Sequence, residues 1–150
     1  MKIYNLIIAG VGGQGNILAS RIIADAAIMD GFKVRVGETF GAAMRGGKVS
    51  SHVRIGKEVE APLVPLGEAD VIIALEPLEG LRIAVDYASK KTTVIMSTRK
   101  LVPVDVATGR AKYPSVEEII KGLEEICGRV IAFDALELAE KIMSFIQKEA

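Results

Sequence analysis

The glycine-rich segment Gly10–Gly15 constrains the fold more strongly than any other part of this 150-residue chain. It reads G-V-G-G-Q-G, directly follows the apolar run Leu6–Ala9, and directly precedes an amphipathic stretch that begins near Asn16. A glycine-rich turn between a buried strand and a helix is typical of folds that place an anion at the helix N-terminus. The segment therefore predicts a strand, a tight turn and a helix, with the turn at the carboxyl edge of a sheet.

The residues of this turn have distinct physical roles in such a fold. Gly10 permits a tight turn out of the strand, Gly12 lets a phosphate approach the backbone, and Gly15 lets the helix lie near the sheet. Gly13 is an additional glycine that can adopt positive φ. We take these glycines, together with Gln14, as candidate cofactor-binding residues. The alternative that the sequence leaves open is a close strand–helix crossover that holds no ligand.

A dinucleotide site also needs an acidic residue at the end of the second strand, about 20 residues after the glycines. Glu38 follows the predicted strand Lys33–Gly37 at a somewhat longer spacing, whereas Asp30 has the better spacing but lies at a helix end. Glu38 is therefore a candidate for three roles: a contact to a ribose hydroxyl, an ion pair with Arg45, or a contact to a partner subunit. The sequence pattern expected for dinucleotide binding is therefore incomplete.

Residues 37–47 are predicted to form a long functional loop, because they are rich in glycine and show no periodicity. Within this loop, Arg45, Gly46 and Gly47 combine a guanidinium group with accessible backbone N–H groups, which suits a phosphate or carboxylate. The alternative is a surface turn with a solvated arginine. We expect the loop to meet the Gly10–Gly15 turn at the carboxyl ends of neighbouring strands.

The only histidine, His52, lies on an alternating strand where the pattern places no acidic partner. This favours a structural or interfacial role over acid–base catalysis. No catalytic residue and no metal site is predicted for this chain.

Strand-like and helix-like patterns alternate along the whole sequence. The predicted strands are 3–9, 33–36, 48–55, 70–75, 92–96 and 130–133; the predicted helices are 16–29, 78–88, 115–126 and 135–148; and 102–113 is predicted as a hairpin that turns at Thr108-Gly109. Ser115 and Glu118 have the spacing of a capping box. This alternation predicts an α/β protein with a three-layer α/β/α arrangement and a Rossmann-like, mostly parallel sheet.

Composition narrows the function classes. Lys plus Arg and Asp plus Glu each number 19, so the net charge is zero and no basic field favours nucleic acid or a membrane surface. The apolar runs are too short for a membrane span, and we read no signal peptide. The one cysteine, Cys127, cannot form an internal disulfide or hold an iron–sulfur cluster alone. We expect a single domain, 1–150, in the cytoplasm. We also expect it to associate with a partner subunit or with a second copy of itself.

Several stretches besides the glycine turn resemble the gamma subunit, or gamma domain, of 2-oxoacid:ferredoxin oxidoreductases. They are Val36-Gly37-Glu38 with Met44-Arg45-Gly46-Gly47, Ser51-His52-Val53-Arg54-Ile55-Gly56, and Ala69-Asp70-Val71-Ile72 with Glu76-Pro77-Leu78-Glu79. Val104, Thr108-Gly109, Ala111, Tyr113-Pro114 and Ala132-Phe133-Asp134-Ala135 look most like the small beta subunit of indolepyruvate ferredoxin oxidoreductases. The resemblance spans almost the whole chain in order, and it implies the fold of domain III of pyruvate ferredoxin oxidoreductase.

The resemblance also implies an activity for the complex. Such enzymes oxidatively decarboxylate a 2-oxoacid to an acyl-CoA, and thiamine diphosphate and [4Fe-4S] clusters pass the electrons to ferredoxin. The thiamine and cluster sites lie mostly on other subunits, so a large thiamine/iron–sulfur subunit is the implied partner, and ferredoxin is an indirect one. The sequence agrees, because it contains no G-D-G motif of the thiamine diphosphate type. No cofactor is assigned to this chain alone.

One feature departs from the family pattern. The family's small subunit usually continues past the last predicted helix with a further apolar segment, whereas this sequence ends at Ala150. The expectation is a truncated or minimal member, whose assembly can differ from that of its relatives. The alternative function is a stand-alone nicotinamide- or flavin-binding Rossmann-like oxidoreductase, and a scaffold that binds no ligand is a third interpretation.

Overall fold

The computed structural model describes residues 2–41, 47–102, 104–110 and 112–149. The strands are β1 (Tyr4–Val11), β2 (Val34–Phe40), β3 (Lys48–Ile55), β4 (Val71–Ala74), β5 (Thr93–Ser97) and β6 (Arg129–Phe133). The helices are α1 (Asn16–Met29), α2 (Pro77–Tyr87), the short α3 (Val104–Ala107), α4 (Val116–Ile126) and α5 (Ala135–Glu149). Strands and helices alternate, except that β2, β3 and β4 follow one another directly, as do α3 and α4.

The described strands form one sheet in the order β2-β3-β1-β4-β5-β6. The pairs β1–β4, β4–β5 and β5–β6 are parallel, and β3 runs antiparallel to both β1 and β2. The predicted α/β class and mostly parallel sheet are confirmed. The insertion of β3 between β2 and β1 was not predicted, because local patterning reports the period of a strand and not its place in the sheet.

The two faces of the sheet differ, and we name them by how they are covered. The closed face packs against α2 and α4, and its core includes Ile7, Ile72, Val94, Ile119 and Leu123, all fully buried. The open face packs against α1 around a smaller core of Leu6, Ala24 and Val53. Successive residues of a strand point to opposite faces, so Leu6 and Ile7 supply one face each.

Local signals account for the helix boundaries that the sequence predicted well. The side-chain hydroxyl of Ser115 accepts a hydrogen bond from the Glu118 N–H at 3.1 Å, and a Glu118 carboxylate oxygen accepts one from the Ser115 N–H at 2.8 Å. This capping box satisfies two of the N–H groups that a helix start leaves unpaired. The predicted helix from Ser115 is thereby confirmed, as is α1 at Asn16–Met29.

Two predictions of local structure are wrong. Residues 37–40 belong to β2 and not to a loop, because β3 supplies backbone partners as far as the pair Phe40–Val49. The predicted hairpin 102–113 is instead a short helix followed by a turn, although residues 103 and 111 lie outside the described residues. Gly109 does adopt positive φ, 74°, but its N–H bonds to the Val106 carbonyl and closes a turn after the helix.

Candidate functional site

The glycine turn lies at the carboxyl edge of the sheet, between β1 and α1. Gly13 and Gly15 have φ of 96° and 91°, and Gly15 is the N-cap of α1 without any side-chain cap. A Cβ atom built on either glycine would meet no other atom within 4 Å. The two glycines therefore border open space at the start of α1, where the N–H groups of a helix start and the helix dipole favour an anion.

The side chain of Gln14 occupies the crevice between β1 and β4. Its Oε1 accepts a hydrogen bond from the Val11 N–H at 2.8 Å, and its Nε2 donates to the Leu75 carbonyl at 3.2 Å. Because α1 lies on the open face and α2 on the closed face, this is the point where the chain reverses direction across the sheet and where open α/β folds bind ligands. Here the crevice is bridged by the protein's own amide.

Gly10 is a glycine for a reason that sequence reasoning missed. A Cβ atom at this position would lie 2.7 Å from Gln14 Oε1 and 2.9 Å from Asn16 Oδ1. The space next to Gly10 is thus taken by two side chains of the same turn. Asn16 is buried and donates from Nδ2 to the carbonyl oxygens of Ile8, at 3.4 Å, and Val49, at 3.2 Å.

Gly47, which directly precedes β3, contacts the glycine turn, as expected. The Gly12 N–H donates to the Gly47 carbonyl at 2.9 Å. Arg45 and Gly46 lie outside the described residues. The anion-binding role of Arg45, Gly46 and Gly47, and the ligand-binding role of the glycine turn, stay predictions.

Glu38 lies on the open face, where neighbouring serines hold its carboxylate. Its oxygens accept hydrogen bonds from Ser51 Oγ at 2.5 Å and from Ser20 Oγ at 3.3 Å. Because β3 separates β2 from β1, Glu38 is displaced by one strand spacing of about 4.8 Å from the position that a dinucleotide fold gives its ribose-binding acid. Glu38 links α1, β2 and β3 in this structure.

The turn from β4 to α2 is a second polar cluster at the same edge, and the sequence did not reveal it. Glu76 is fully buried; its Oε2 accepts a hydrogen bond from the Glu79 N–H at 3.0 Å, and its Oε1 accepts a short one from the Tyr113 hydroxyl. Burial and the neighbouring Glu76 both raise the pKa of the Tyr113 phenol. Glu76 is thus a buried N-cap of α2 that also holds a residue 37 positions away.

Glu79 extends this cluster toward a cavity of about 570 Å³. Its Oε1 accepts a hydrogen bond from Arg82 Nη1 at 2.7 Å, and burial raises the pKa of its carboxyl group despite the opposing charge of Arg82. The cavity lies between α2 and the ends of β2 and β3. Its lining includes Thr39, Lys48, Ser50, Glu79, Arg82 and Tyr87. The E-P-L-E segment after β4 was a sequence signal for this site. The residues that contact it come from distant positions in the chain, so the signal alone did not reveal the cluster.

His52 is fully buried on the closed face, and both ring nitrogens have partners. Nδ1 accepts a hydrogen bond from the Val64 N–H at 3.2 Å, and Nε2 lies 3.3 Å from Ser50 Oγ. Its ring also packs edge-on against Tyr87, with 5.2 Å between centroids. Burial lowers the pKa of His52 from 6.5 to about 4. This neutral imidazole, with both nitrogens paired, is arranged for structure rather than for proton transfer.

Comparisons with known proteins identify the family. The family model described as pyruvate ferredoxin/flavodoxin oxidoreductase matches residues 5–148. The indolepyruvate oxidoreductase subunit IorB of Archaeoglobus fulgidus is 51% identical to this chain over 142 residues, which are 95% of this chain and 70% of that protein. The subunit of the same name from Pyrococcus horikoshii is 46% identical over 140 residues, 93% of this chain and 69% of that protein.

A solved structure agrees at the level of the fold. The crystal structure of pyruvate oxidoreductase subunit PORC from Thermotoga maritima has a TM-score of 0.66 and 22% identity, and the match covers 96% of this chain and 68% of that one. The sequence matches, together with this fold, define a gamma-type domain of the 2-oxoacid oxidoreductases. The chain belongs to the pyruvate ferredoxin/flavodoxin oxidoreductase family, and the resemblance seen in the sequence is confirmed.

The position of Cys127 indicates whether this chain could hold an iron–sulfur cluster. The thiol is buried in the core of the closed face at the end of α4, and burial raises its pKa. A cluster requires about four accessible thiolates, so this chain's residues do not fit one. Within the described residues, no group of three or more His, Cys, Asp or Glu side chains is placed to hold a metal ion.

The helices were also compared with the requirements of a lipid bilayer. Throughout the described ranges, no helix is both long enough and apolar enough to cross a membrane.

Proposed function

We propose that this chain is the subunit without clusters of a cytoplasmic 2-oxoacid:ferredoxin oxidoreductase that acts on indolepyruvate and related aryl pyruvates. The complex would decarboxylate the 2-oxoacid oxidatively to an acyl-CoA and pass the electrons to ferredoxin. The observation that carries the proposal is the match to the IorB subunit of Archaeoglobus fulgidus, 51% identical across 95% of this chain. The substrate class follows from the name of that relative.

The partner in this proposal is a large subunit that holds thiamine diphosphate and the [4Fe-4S] clusters. Thiamine stabilises the carbanion of decarboxylation, and the clusters carry electrons one at a time. The buried Cys127 is unsuited to a cluster, so the redox centres belong on the partner. In this proposal ferredoxin receives its electrons from the large subunit, so it is only an indirect partner of this chain.

The role of this chain's own residues is to offer an anion site beside the active centre. Gly13 and Gly15 present an exposed turn at the uncapped start of α1, which suits a phosphate group such as those of CoA. Gly10, Gly12 and Gln14 shape this turn from below, and Gly47 is held against Gly12. We propose that Arg45 and Gly46 complete the anion site and that Glu38 fixes it through its serine contacts.

The stand-alone dinucleotide enzyme is disfavoured by two features of the geometry. Gln14 bridges the crevice in which a dinucleotide would lie. Glu38, the residue that would hold the ribose, is one strand away from the required position and is bonded to Ser51 and Ser20. Neither feature conflicts with an anion bound at the outer rim of the turn.

The test is to produce the chain together with the proposed large subunit from the same organism and to follow reduction of a viologen with CoA present. Indolepyruvate, phenylpyruvate, pyruvate and 2-oxoglutarate are compared as substrates. We expect turnover only by the complex, with aryl pyruvates preferred by kcat/KM. Turnover by the lone chain, or a preference for 2-oxoglutarate, would contradict the proposal.

A matched pair of glycine variants tests the anion site. Gly13 and Gly31 both have positive φ, 96° and 86°, and open space where a Cβ would stand. Substituting Ala therefore imposes similar backbone strain at both sites, but only Gly13 borders the proposed anion. We expect Gly13→Ala to raise the KM for CoA about tenfold in the complex while Gly31→Ala leaves it unchanged. Equal KM values in the two variants would place CoA elsewhere.

A further inference from the structure

The cavity beside α2 lies apart from the glycine turn and combines a polar end with apolar walls. Its volume of about 570 Å³ falls within the range of about 300–1,000 Å³ that is usual for small-molecule sites. Thr39 and Ser50 line it from β2 and β3, and Glu79 and Arg82 line it from α2. None of the residues of the Gly10–Gly15 turn is among the described residues that line it. The cavity is therefore separate from the anion site proposed at the start of α1.

A chain of hydrogen bonds that starts at the buried His52 sets the direction of the hydroxyl groups in the cavity wall. His52 Nδ1 accepts a hydrogen bond from the Val64 N–H, and the ring is neutral at physiological pH because burial lowers its pKa to about 4. A neutral imidazole with an accepting Nδ1 carries its proton on the other nitrogen. His52 Nε2 therefore donates to Ser50 Oγ, which lies 3.3 Å away.

The same chain ends at Thr39. Ser50 is 3% exposed, and its only other hydrogen-bond partner among the described residues is Thr39 Oγ1, at 2.5 Å. Because Ser50 accepts from His52, its own hydrogen is directed to Thr39 Oγ1. Thr39 is half-buried, lines the cavity and has no further hydrogen-bond partner in the described part of the chain. Its hydroxyl hydrogen is therefore available to an acceptor inside the cavity.

Two cations lie at the same polar end. Arg82 Nη1 donates to Glu79 Oε1 at 2.7 Å, and the other N–H groups of Arg82 have no acceptor within the described ranges. Lys48 also lines the cavity, and its charge acts on the Glu79 carboxyl group. Glu79 is 2% exposed, so its charge is paired inside the wall. Asp86 is exposed and lies about 10 Å farther along α2. The polar end thus has one cation in excess.

Apolar side chains form the other walls of the cavity. Phe40 is 58% exposed and Val85 is 64% exposed, and both line the cavity together with the half-buried Ile83. An apolar ligand body would remove these surfaces from water, which is favourable in proportion to the area covered. Phe40 favours an aromatic body, because aromatic rings attract one another in offset and edge-to-face arrangements.

We infer that this cavity binds a small monocarboxylic acid with an aromatic body. A carboxylate only accepts hydrogen bonds, so it matches an end at which Thr39, Arg82 and Lys48 all offer donors. Its single negative charge balances the one cation in excess, and its body packs against Phe40 and Val85. The inference concerns a second site of this chain and depends neither on the proposed reaction nor on the anion site at the glycine turn.

The first test titrates the isotope-labelled full chain with phenylacetate and follows the amide NMR signals. We expect saturable binding, with the largest shifts at cavity residues such as Thr39, Ser50 and Ile83. Phenylacetamide has the same body without the charge, and acetate has the charge without the body. Each should bind at least about tenfold more weakly than phenylacetate. Absence of saturable binding, equal binding of phenylacetamide or acetate, or shifts centred on the glycine turn would overturn the inference.

The second test uses matched variants at the polar end. Thr39→Val has the shape of threonine without the hydroxyl group, whereas Thr39→Ser retains the hydroxyl. We expect the Kd for phenylacetate to rise about tenfold in Thr39→Val and to change less than about twofold in Thr39→Ser. Arg82→Gln should weaken binding to a similar extent, whereas Arg21→Gln, at an exposed position of α1, should not. Circular dichroism verifies that each variant is folded. Equal Kd values for Thr39→Val and Thr39→Ser would show that this hydroxyl does not hold the carboxylate, and the inference would be wrong.

Discussion

The closed and open faces of the sheet use the same strands but are built differently. On the closed face, two helices cover a continuous core, and the polar groups within it are paired, including His52, Glu76 and Thr92. On the open face, α1 covers a small core, and large apolar residues of α1 and α5 remain exposed. The difference indicates that the closed face supplies most of the stability of the fold, whereas the open face is available for association.

The two turns at the carboxyl edge repeat this contrast. The β1–α1 turn leads to the open face, has no side-chain cap and presents glycine backbone to solvent. The β4–α2 turn leads to the closed face and is capped by the buried Glu76, with Pro77 in the first turn of the helix. Gln14 joins the two turns through the Leu75 carbonyl. The β1–α1 turn is therefore suited to bind a ligand from the solvent side, whereas the β4–α2 turn is fixed within the core.

The largest expected effect on stability is at Glu76 on the closed face. Glu76→Ala removes the acceptor of both the Glu79 N–H and the Tyr113 hydroxyl, and an unsatisfied buried donor costs about 1–3 kcal/mol. We expect the free energy of unfolding to fall by about 4 kcal/mol, measured by urea denaturation. Tyr113→Phe, which removes one of the two bonds, should cost about 1 kcal/mol. Equal losses in the two variants would show that the cap contributes little.

The next effect is a dependence of stability on pH that originates at His52. The unfolded histidine binds a proton near 6.5, whereas burial in the folded state lowers the pKa to about 4. Between these values the unfolded state binds more protons, so stability is fully present above about pH 6.5 and is lost as pH falls toward 4. One pKa unit corresponds to about 1.36 kcal/mol, which gives a loss of about 3 kcal/mol across this window.

The control for this pH effect is His52→Gln, which does not titrate and retains an acceptor for the Val64 N–H. Urea denaturation at a series of pH values should show that the wild type loses more stability than the variant as pH falls from 6.5 to 4. The difference between the two curves removes the contribution of carboxylates such as Asp134, whose pKa is lowered by its backbone hydrogen bonds. Parallel curves would contradict the assignment to His52.

The features that the sequence predicted correctly are encoded by neighbours along the chain. The capping box at Ser115 and Glu118 involves residues three positions apart, and the apolar run before Gly10 marks a central strand. Gly109 was correctly predicted as a turn residue, but the turn was assigned to a hairpin where the chain forms a short helix. Local signals identify the turn without identifying what it connects.

The features that the sequence did not predict depend on contacts between distant segments. The bond from Tyr113 to Glu76 joins two elements that are far apart in sequence, and the place of β3 beside β1 is set by the whole sheet. The bridging role of Gln14 was hidden for the same reason, because its second partner, Leu75, lies 61 positions away. A glycine motif therefore predicts the turn but not whether a ligand or a side chain fills it.

The smallest effect compares two adjacent residues of α1 that face in opposite directions. Ile22 is 60% exposed, whereas Ile23 packs against the small core of the open face. Replacing either by Ala gains a similar few tenths of a kcal/mol in helix propensity, so the difference between the variants reports burial alone. We expect Ile23→Ala to lower the free energy of unfolding by about 1–2 kcal/mol and Ile22→Ala to change it by less than about 0.5 kcal/mol. The comparison should be made at low protein concentration. A cost at Ile22 as large as that at Ile23 under these conditions would mean that the outer side of α1 is already covered within one chain, and the contrast between the two faces would then be wrong.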